Sequence, residues 1–236
     1  MKIPVLDQVQ VWFDDLLWLV YPELCVACEK PLNTGEKCLC TSCRFRLPKT
    51  NFHLDAGNPV VKHFWGRVRI EAAASYFLFT KGEKVQHLIH LLKYKKRKDI
   101  GVFIGDIYGY DLKKSETFAS VDVIIPVPLH PDKLRRRGYN QSECFAEGLS
   151  HSLKVSFDTT TLKRNTATET QTRKHRYERF ENVDKVFSVT DPGQVKGKHV
   201  LLVDDVITTG STLVACAEAL LEQPGTRVSI ATIAYA

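Results

Sequence analysis

The chain has 236 residues, which suits one α/β domain with a small accessory module, and its 44% hydrophobic and 25% charged residues are ordinary for a soluble globular protein. No apolar run approaches the length that spans a bilayer and no signal peptide opens the sequence, so a membrane-spanning protein is excluded and a cytoplasmic location is expected. The net charge of +6 lies entirely beyond residue 50, because residues 1–50 hold six basic and six acidic residues. Such a basic domain suits a polyphosphate or a nucleic acid, although a solubilising surface charge would look the same.

Residues 1–22 begin the chain as a predicted amphipathic helix. Val5, Val9 and Phe13 follow a helical period, with acidic residues on the opposite face. Because the polar face lacks the lysines and arginines of a membrane-surface helix, we expect this helix to dock on the protein or on a partner.

Five of the seven cysteines lie in residues 23–50, which in a chain without an export signal favours a metal site over disulfides. Two C-x-x-C knuckles there predict a zinc-ribbon module with a closed, structural four-thiolate site. The four predicted ligands are Cys25, Cys28, Cys40 and Cys43. Cys38 is left outside the site because Cys38-x-Cys40 cannot form the same knuckle, and reduced cysteines without a metal are the alternative.

Residues 51–66 contain several glycines, prolines and asparagines and are predicted to form a linker to the larger domain, residues 67–236. The domain begins with a predicted strand over residues 67–80. Helices are predicted over residues 83–94 and 99–112. Strands that alternate with helices in this way predict an α/β domain.

The first of these helices ends in a basic cluster around a tyrosine. Basic residues in a last helical turn complement the helix dipole, but the five bases present here exceed that need. The bases could follow a phosphodiester backbone while the tyrosine stacks on a nucleobase. The candidate nucleic-acid-binding residues in this cluster are Lys93, Tyr94, Lys95 and Lys96. A solvated charged turn is an equally open alternative.

A second basic edge follows the next predicted strand, residues 121–127. The strand leads into a proline-stiffened turn and then into a run of arginines. The residues concerned are Pro128, Leu129 and His130 in the turn, and Arg135, Arg136 and Arg137 in the run. A strand end, a stiff turn and a basic cluster together predict an anion-binding edge.

The most specific pattern is the stretch H-V-L-L-V-D-D-V-I-T-T-G-S-T near the C-terminus. Val200–Val203 predict a strand buried on both faces, and an amphipathic helix follows the hydroxyl-rich loop Thr208–Thr212. Unpaired N–H groups at a helix start, with a glycine that allows close approach, make an anion site. Asp204 and Asp205 would repel a phosphate, so we expect them to accept hydrogen bonds from vicinal hydroxyls such as those of a ribose. The alternative is an ordinary strand–loop–helix unit whose N-cap is Ser211.

This stretch resembles the 5-phosphoribosyl-1-pyrophosphate (PRPP) motif of type I phosphoribosyltransferases. The resemblance implies a parallel sheet flanked by helices, here with the small zinc-ribbon module at the N-terminus, and Mg²⁺ bound together with PRPP. The implied PRPP-binding residues are Asp204, Asp205, Thr208, Thr209, Gly210, Ser211 and Thr212. The loop after an early core strand contacts the pyrophosphate in that superfamily, and the residues in the equivalent order are Pro128, Leu129, His130, Arg135 and Arg137.

From about Leu24 onward the chain resembles the ComF family, phosphoribosyltransferase-like proteins associated with DNA uptake in natural transformation. The motifs that carry this resemblance are the cysteine knuckles, K-Y in mid-chain, P-V-P-L-H … R-x-R-G-Y-N-Q, and D-D-V-x-T-T-G-S-T. It implies that single-stranded DNA is a partner, contacted by the basic cluster and by Arg136. A DNA-translocation ATPase is the other partner that the resemblance implies.

Residues 163–183 resemble the family's R … T-x-x-Q … R segment and would correspond to the flexible catalytic loop of the superfamily. Arg173 and Lys174 would then meet the pyrophosphate and, with Asp204 and Asp205, form the implied catalytic set. A disordered surface loop of the same composition is the alternative.

Two functions are therefore weighed. The favoured one is a ComF-like DNA-uptake factor that binds PRPP and either single-stranded DNA or a translocation partner. The alternative is a conventional phosphoribosyltransferase that moves phosphoribose from PRPP to a nucleobase or another small nitrogen acceptor. No pattern in the sequence identifies the acceptor.

Overall fold

The computed structural model of the protein describes residues 22–165 and 186–236. The predicted N-terminal helix, residues 1–22, lies outside the described residues apart from its last one. The predicted catalytic residues Arg173 and Lys174 lie outside them as well. The fold and the site below are therefore built from the remaining residues.

By its internal contacts the chain divides into two compact units, Met1–Leu47 and Pro48–Ala236. Within the described ranges of both units, no helix is long and apolar enough to cross a membrane.

The described part of the first unit, residues 22–47, is organised around buried cysteines. The N–H group of Cys25 donates to the carbonyl oxygen of Lys30 at 2.8 Å and closes the first turn. Helix α1 (Thr41–Arg46) follows, and the sulfur of Cys40 at its N-cap accepts a hydrogen bond from a backbone N–H of the first turn. The cysteines therefore take part in local backbone structure as well as facing one another.

The second unit alternates strands and helices along most of its length. Its helices are α2 (Pro59–Lys62), α3 (Lys84–Tyr94), α4 (Lys98–Leu112), α5 (Glu116–Ala119), α6 (Pro131–Arg137), α7 (Gln141–Leu153) and α8 (Ser211–Leu221). Its strands are β1 (Ala72–Leu78), β2 (Val123–Pro126), β3 (Leu162–Arg164), β4 (Phe187–Val189), β5 (His199–Ile207) and β6 (Arg227–Tyr235). Two short 3-10 helices cover Phe52–Leu54 and Pro192–Gln194. The helices predicted over residues 83–94 and 99–112 correspond to α3 and α4.

Four parallel strands form the main sheet, in the order β1–β6–β5–β2. The register sets Val200 of β5 beside Val228 of β6 and Val123 of β2. β3 and β4 form a separate antiparallel ribbon. The central strands are buried on both faces, as a parallel sheet covered by helices requires. This arrangement confirms the predicted α/β fold class with a parallel sheet flanked by helices.

Strand β5 is longer than the sequence predicted. The prediction ended the strand at Val203, but pairing with β6 continues from Asp204 beside Thr232 to Ile207 beside Tyr235. Asp204 and Asp205 are thus part of the strand and not of the loop that follows it. Their backbone is fixed by the sheet, because the ladder hydrogen bonds outweigh the weak strand preference of aspartate.

Residues 51–66, predicted to form a linker from their glycines, asparagines and one proline, contain a 3-10 helix and α2. The side chain of Asn58 caps α2 by accepting from the N–H groups of Val60 and Val61, and its amide donates to the carbonyl oxygen of Ala73 in β1 at 2.8 Å. Val60 and Phe64 are fully buried in the core of the second unit. The asparagine and proline begin a helix here instead of breaking the chain. β1 is also shorter than the strand predicted over residues 67–80.

Helices α4 and α7 approach each other closely because glycines lie between them. A Cβ atom on Gly148 would lie 2.0 Å from the carbonyl oxygen of Val102, and one on Gly105 would lie 2.3 Å from that of Phe145. Neither position can hold a side chain without a shift of the backbone. This contact fixes the position of α7, whose first turn contributes to the site described next.

Candidate functional site

The Thr208–Thr212 loop joins β5 to α8 at the carboxyl end of the sheet. Gly210 occupies the N-cap position with a φ of 71°, which glycine adopts without strain. No side chain caps α8, and Ser211 is its first residue, not the N-cap that the alternative interpretation assumed. Apart from a long contact of the Ser211 N–H with Oγ1 of Thr209 at 3.5 Å, the first N–H groups of α8 and the positive end of its dipole are available at the loop, as binding of a phosphate requires.

Arg67 also lies at this loop, although no sequence pattern pointed to it. Its Nη1 donates to the carbonyl oxygens of Thr209 at 2.9 Å and His63 at 3.2 Å, and its Nη2 donates to Oγ of Ser211 at 3.2 Å. Arg67 and Thr209 are 142 positions apart. Only the fold brings them together, so spacing along the chain could not have identified the contact.

Asp204 is held by the first turn of α7. Its Oδ1 accepts hydrogen bonds from Oγ of Ser142 and from the backbone N–H of Asp205, both at 2.8 Å. Burial and the charge of Asp205 raise the pKa of Asp204 to about 7, although these two hydrogen bonds oppose the shift. Ser142 was missed because the recognisable motif ends one residue before it.

Asn140 fixes the start of α7 against the end of β2. Its side-chain oxygen accepts from the N–H of Ser142 at 3.1 Å, and its amide donates to the carbonyl oxygen of Val127 at 3.0 Å. This asparagine belongs to the R-x-R-G-Y-N-Q motif, so the motif has a structural purpose. It brings the serine that holds Asp204 to the carboxyl end of the sheet.

Asp205 forms an ion pair with Lys93 of α3. The Nζ atom lies 3.0 Å from Oδ1 of the carboxylate, and both side chains are mostly buried. The sequence assigned Lys93 to the nucleic-acid-binding cluster and Asp205 to the ribose site. The structure brings the two residues together, so Lys93 belongs to the acid pair.

Tyr94 follows Lys93 in the chain, and its ring contacts Arg137. The guanidinium carbon of Arg137 lies 5.5 Å from the centre of the Tyr94 ring, and its Nη1 donates to Oε1 of Gln141 at 2.6 Å. Tyr94 is 56% exposed. A residue predicted to bind DNA and a residue predicted to bind pyrophosphate thus share one surface.

The remaining residues of the two basic edges lie at the surface. His130 caps α6 by accepting from the N–H of Asp132 at 3.2 Å, and Arg135 forms an ion pair with the same aspartate. Pro128 and Leu129 are half-buried and line a cavity of about 210 Å³. Besides Tyr94, the predicted DNA-binding residues that are exposed are Lys95, Lys96 and Arg136.

The four predicted cysteine ligands come together in the first unit, with all sulfur atoms within 4.8 Å of one another. Sulfur atoms lie about 3.8 Å apart in a tetrahedral site with Zn–S bonds of about 2.3 Å, and Sγ of Cys28 lies 3.7 Å from Sγ of Cys40. Burial would raise the pKa of Cys25, but backbone N–H groups, led by that of Cys40, lower it to about 7, whereas burial raises the pKa of Cys43 to about 12 in the absence of a metal ion. The donor set therefore fits a structural metal ion, and Cys38 lies outside it.

One edge of the sheet thus combines a helix start suited to a phosphate, two carboxylates suited to hydroxyl groups and two cationic side chains, Lys93 and Arg67. A sugar phosphate presents this combination of groups. The arrangement offers binding and orientation more than a built-in nucleophile, because its groups are hydrogen-bonded to one another.

Comparisons with known proteins agree with this geometry. A model of the phosphoribosyl transferase domain matches residues 140–236. The DNA utilization protein YhgH of Shigella flexneri is 31% identical over 230 residues, which cover 90% of this chain and 96% of that protein. The competence protein ComFC of Bacillus subtilis is 27% identical over 213 residues, 81% of each protein. Competence protein F of Haemophilus influenzae is 38% identical over 104 residues, 44% of this chain and 45% of that protein.

Solved structures with a similar fold include a glutamine PRPP amidotransferase from B. subtilis, at 23% identity and a TM-score of 0.41 over 61% of this chain and 30% of that one. A purine phosphoribosyltransferase from Pyrococcus horikoshii matches 60% of this chain and 75% of its own, at 21% identity and a TM-score of 0.36. The identity and near-complete coverage of the YhgH relative, and the competence proteins beside it, show that the chain belongs to the ComF family of phosphoribosyltransferase-like proteins.

Proposed function

We propose that the protein is a DNA-uptake factor that binds PRPP at the carboxyl end of its sheet and single-stranded DNA on the adjoining basic surface. The observation that carries the proposal is that the acid pair of the PRPP site and the basic surface adjoin each other. Lys93 contacts Asp205 in the acid pair, and the next residue, Tyr94, belongs to the basic surface. A DNA-translocation ATPase is the further partner that we propose from the family relationship.

The proposed PRPP site divides the ligand among three sets of residues. The Thr208–Thr212 loop and the start of α8 bind the 5-phosphate, and Asp204 and Asp205 accept hydrogen bonds from the ribose hydroxyls. Arg137 is the cation available to the pyrophosphate. Mg²⁺ held by the phosphates of PRPP would neutralise part of the charge on the pyrophosphate. The chain's own residues bind and orient the sugar.

The proposed DNA surface consists of Tyr94, Lys95, Lys96 and Arg136, called the Tyr94 surface below. An exposed aromatic ring with cations around it suits a nucleic acid without sequence preference, because every base can stack and every phosphate is an anion. The Tyr94 ring contacts the Arg137 guanidinium and the ring of His90, whose centre lies 5.1 Å away, and the residue is still more than half exposed. We propose that an unpaired base stacks on the exposed part of the ring.

We further propose that the four clustered cysteines bind Zn²⁺. A four-thiolate set matches the ligand preference of zinc and leaves no position for a substrate, which makes the ion structural. In this proposal the zinc site stabilises the first unit and takes no part in binding PRPP.

Titration of labelled single-stranded DNA at several salt concentrations, with and without Mg²⁺ and PRPP, tests the proposed function. The variant Lys95→Gln/Lys96→Gln/Arg136→Gln is expected to bind DNA at least roughly tenfold more weakly and with a smaller salt dependence, because phosphate contacts release counterions. Its matched control is Lys113→Gln/Lys154→Gln/Lys196→Gln, which removes three exposed lysines outside the Tyr94 surface. The control should bind DNA as the unmodified protein does.

If both triple variants bind DNA equally weakly, the interaction depends on net charge in general and the Tyr94 surface is not a DNA-binding site. Failure of the unmodified protein to bind DNA even at low salt would overturn the DNA-binding half of the proposal. A change in DNA affinity on adding PRPP would support the continuity of the two regions, by reciprocal linkage.

The alternative function, a conventional phosphoribosyltransferase, is favoured by one observation. The cavity of about 210 Å³ beside Pro128 and Leu129 is also lined by Leu162 and Arg164 and would receive a small acceptor next to the sugar. Release of pyrophosphate from PRPP on addition of one nucleobase from a panel would support this function. Bound but unconsumed PRPP with every base would favour the DNA-uptake role.

A further inference from the structure

Arg67 has a position that the proposed function does not explain by itself. It precedes β1 and follows a turn at Gly66, whose φ is 71°. The N–H groups of Arg67 and Val68 both donate to the carbonyl oxygen of Phe64, and the Phe64 side chain is fully buried. The backbone that carries Arg67 is therefore anchored in the core.

This anchored turn packs directly on the glycine of the phosphate-type loop. A Cβ atom on Gly210 would lie 3.5 Å from Cβ of His63 and 3.8 Å from a ring carbon of Phe64. The side chains of His63 and Phe64 thus lie close to Gly210, with room for little more than one methyl group between the turn and the loop. From the turn, the Arg67 side chain reaches the loop and bonds to Thr209 and Ser211.

The hydrogen bonds of Arg67 also set the direction of a loop hydroxyl. A guanidinium group only donates hydrogen bonds, so Oγ of Ser211 must accept the bond from Nη2 of Arg67. The Ser211 proton is then free to point towards Thr209 Oγ1 at 3.2 Å or towards a bound phosphate. The guanidinium keeps further N–H donors beyond the three contacts that it makes here.

The charge of Arg67 is not balanced by an acid. Among residues 22–165 and 186–236, no carboxylate lies within 4.0 Å of its guanidinium group, whereas Lys93, Arg97 and Arg135 each have such a partner. Carbonyl and hydroxyl oxygens accept its hydrogen bonds without neutralising it. A phosphate monoester bound at the start of α8 would supply the missing negative charge.

We propose that Arg67 is a phosphate-binding residue of the Thr208–Thr212 loop, which orients Ser211 and pairs its own charge with the 5-phosphate of the ligand. This inference rests on the proposed function, because it takes the loop as the 5-phosphate site of PRPP. It adds a ligand-contacting residue from a part of the chain outside the recognised motif. It also explains why the segment before β1 is folded against the loop.

The test measures binding of ribose 5-phosphate by calorimetry to the full chain and to Arg67→Gln, Arg67→Lys and Arg69→Gln. Arg67→Gln should weaken binding roughly 10- to 100-fold, the usual range for a lost charge-assisted hydrogen bond. Arg67→Lys should lose less affinity than Arg67→Gln, because lysine keeps the positive charge although it lacks the paired N–H donors of the guanidinium group. Arg69→Gln removes an exposed arginine two residues away and should bind as the unmodified chain does.

A second readout separates a charge that binds phosphate from a side chain that only supports the loop. Binding by Arg67→Gln should depend less on salt concentration than binding by the unmodified chain, because one exposed charge interaction has been removed. Thermal unfolding without ligand should show that all the variants are folded. An unchanged salt dependence in Arg67→Gln would overturn the proposed charge pairing even if affinity falls.

The two levels of the proposal fail in different ways. If the unmodified chain binds ribose 5-phosphate and Arg67→Gln binds it equally well, the role of Arg67 is overturned and the loop assignment stands. If the unmodified chain binds neither ribose 5-phosphate nor PRPP, the loop assignment and the role of Arg67 are both overturned.

Discussion

The ammonium group of Lys93 lies 3.0 Å from the carboxylate of Asp205, and both side chains are mostly shielded from solvent. An ion pair in such surroundings is stronger than one at the surface, where water screens the charges. The contact ties the end of α3 to the central strand β5. It also separates Lys93 from the exposed lysines that follow it in the chain.

Lys93→Gln and Lys96→Gln are therefore expected to weaken the binding of different ligands. Lys93→Gln leaves two neighbouring acids without their cation and should lower PRPP affinity on the order of tenfold, or about 1.4 kcal/mol. Lys96→Gln removes an exposed charge and should lower DNA affinity while leaving PRPP binding unchanged. Calorimetry with PRPP and a DNA titration on both variants measure the difference, and equal losses in the two variants would contradict the separation of Lys93 from the Tyr94 surface.

The acid pair itself can be removed with small changes in shape. The double variant Asp204→Asn/Asp205→Asn should lose PRPP binding, because in each amide group an NH₂ donor replaces one of the two carboxyl oxygens that would accept from the ribose hydroxyls. Glu218→Gln, on the exposed side of α8, is the matched control and should bind normally. Retention of PRPP binding by the double variant would show that the site is wrongly assigned.

The raised pKa of Asp204 predicts how stability changes with pH. In the unfolded chain this carboxyl group loses its proton near pH 4, whereas in the folded protein it keeps the proton until about pH 7. The folded state therefore binds more protons between these values, and the free energy of unfolding contributed by Asp204 falls as pH rises, by at most about 1.4 kcal/mol per pH unit. Urea unfolding of the unmodified chain and of Asp204→Asn between pH 5 and 8 measures this. The stability of Asp204→Asn relative to the unmodified chain should increase with pH, and a constant difference would rule out the shifted pKa.

Zinc binding is expected to depend on the four clustered cysteines and not on Cys38. The unmodified chain and Cys38→Ser should each contain one equivalent of zinc by elemental analysis. Cys40→Ser leaves three thiolates and should retain much less metal after dialysis against a chelator. Equal zinc content in Cys38→Ser and Cys40→Ser would contradict the assigned ligand set.

Gly148→Ala tests whether the close contact of α4 and α7 matters for stability. Its new methyl group would meet the carbonyl oxygen of Val102, so the helices must separate, at a cost of about 1–3 kcal/mol. Gly57→Ala meets only Asp55 Oδ1 at 3.6 Å and serves as the control. Urea unfolding measures both variants. A Gly148→Ala protein as stable as the control would mean that the contact relaxes easily.

The sequence predicted the parts of the site that lie close together along the chain. The Thr208–Thr212 loop and the two C-x-x-C pairs are short patterns with fixed spacing, and the structure brings the four cysteines together as expected. Arg67 and Ser142 were not predicted, because each meets its partner through the strand order and no local pattern describes such a contact. The DNA-binding role of the Tyr94 surface stays a prediction.

The local sequence also gave the wrong structure in two places, the end of β5 and residues 51–66. Asp204 and Asp205 were predicted to follow the strand, because the apolar run ends at Val203, but pairing with β6 keeps them in β5. Residues 51–66 contain several chain-breaking residues, yet the Asn58 cap and the burial of Val60 and Phe64 fold the segment onto the sheet. In both cases tertiary contacts outweighed the intrinsic tendency of the residues.

The pairing of Asp205 with Lys93 and the raised pKa of Asp204 have a joint consequence for the electrostatic potential of the crevice. Near neutral pH the three groups together carry between zero and one negative charge, so a polyanion meets little repulsion on its approach. For the same reason they have little charge with which to retain a hydrated divalent cation. We therefore expect magnesium to enter and leave together with PRPP. The amount of PRPP bound should then follow the concentration of the magnesium–PRPP complex and not that of free magnesium.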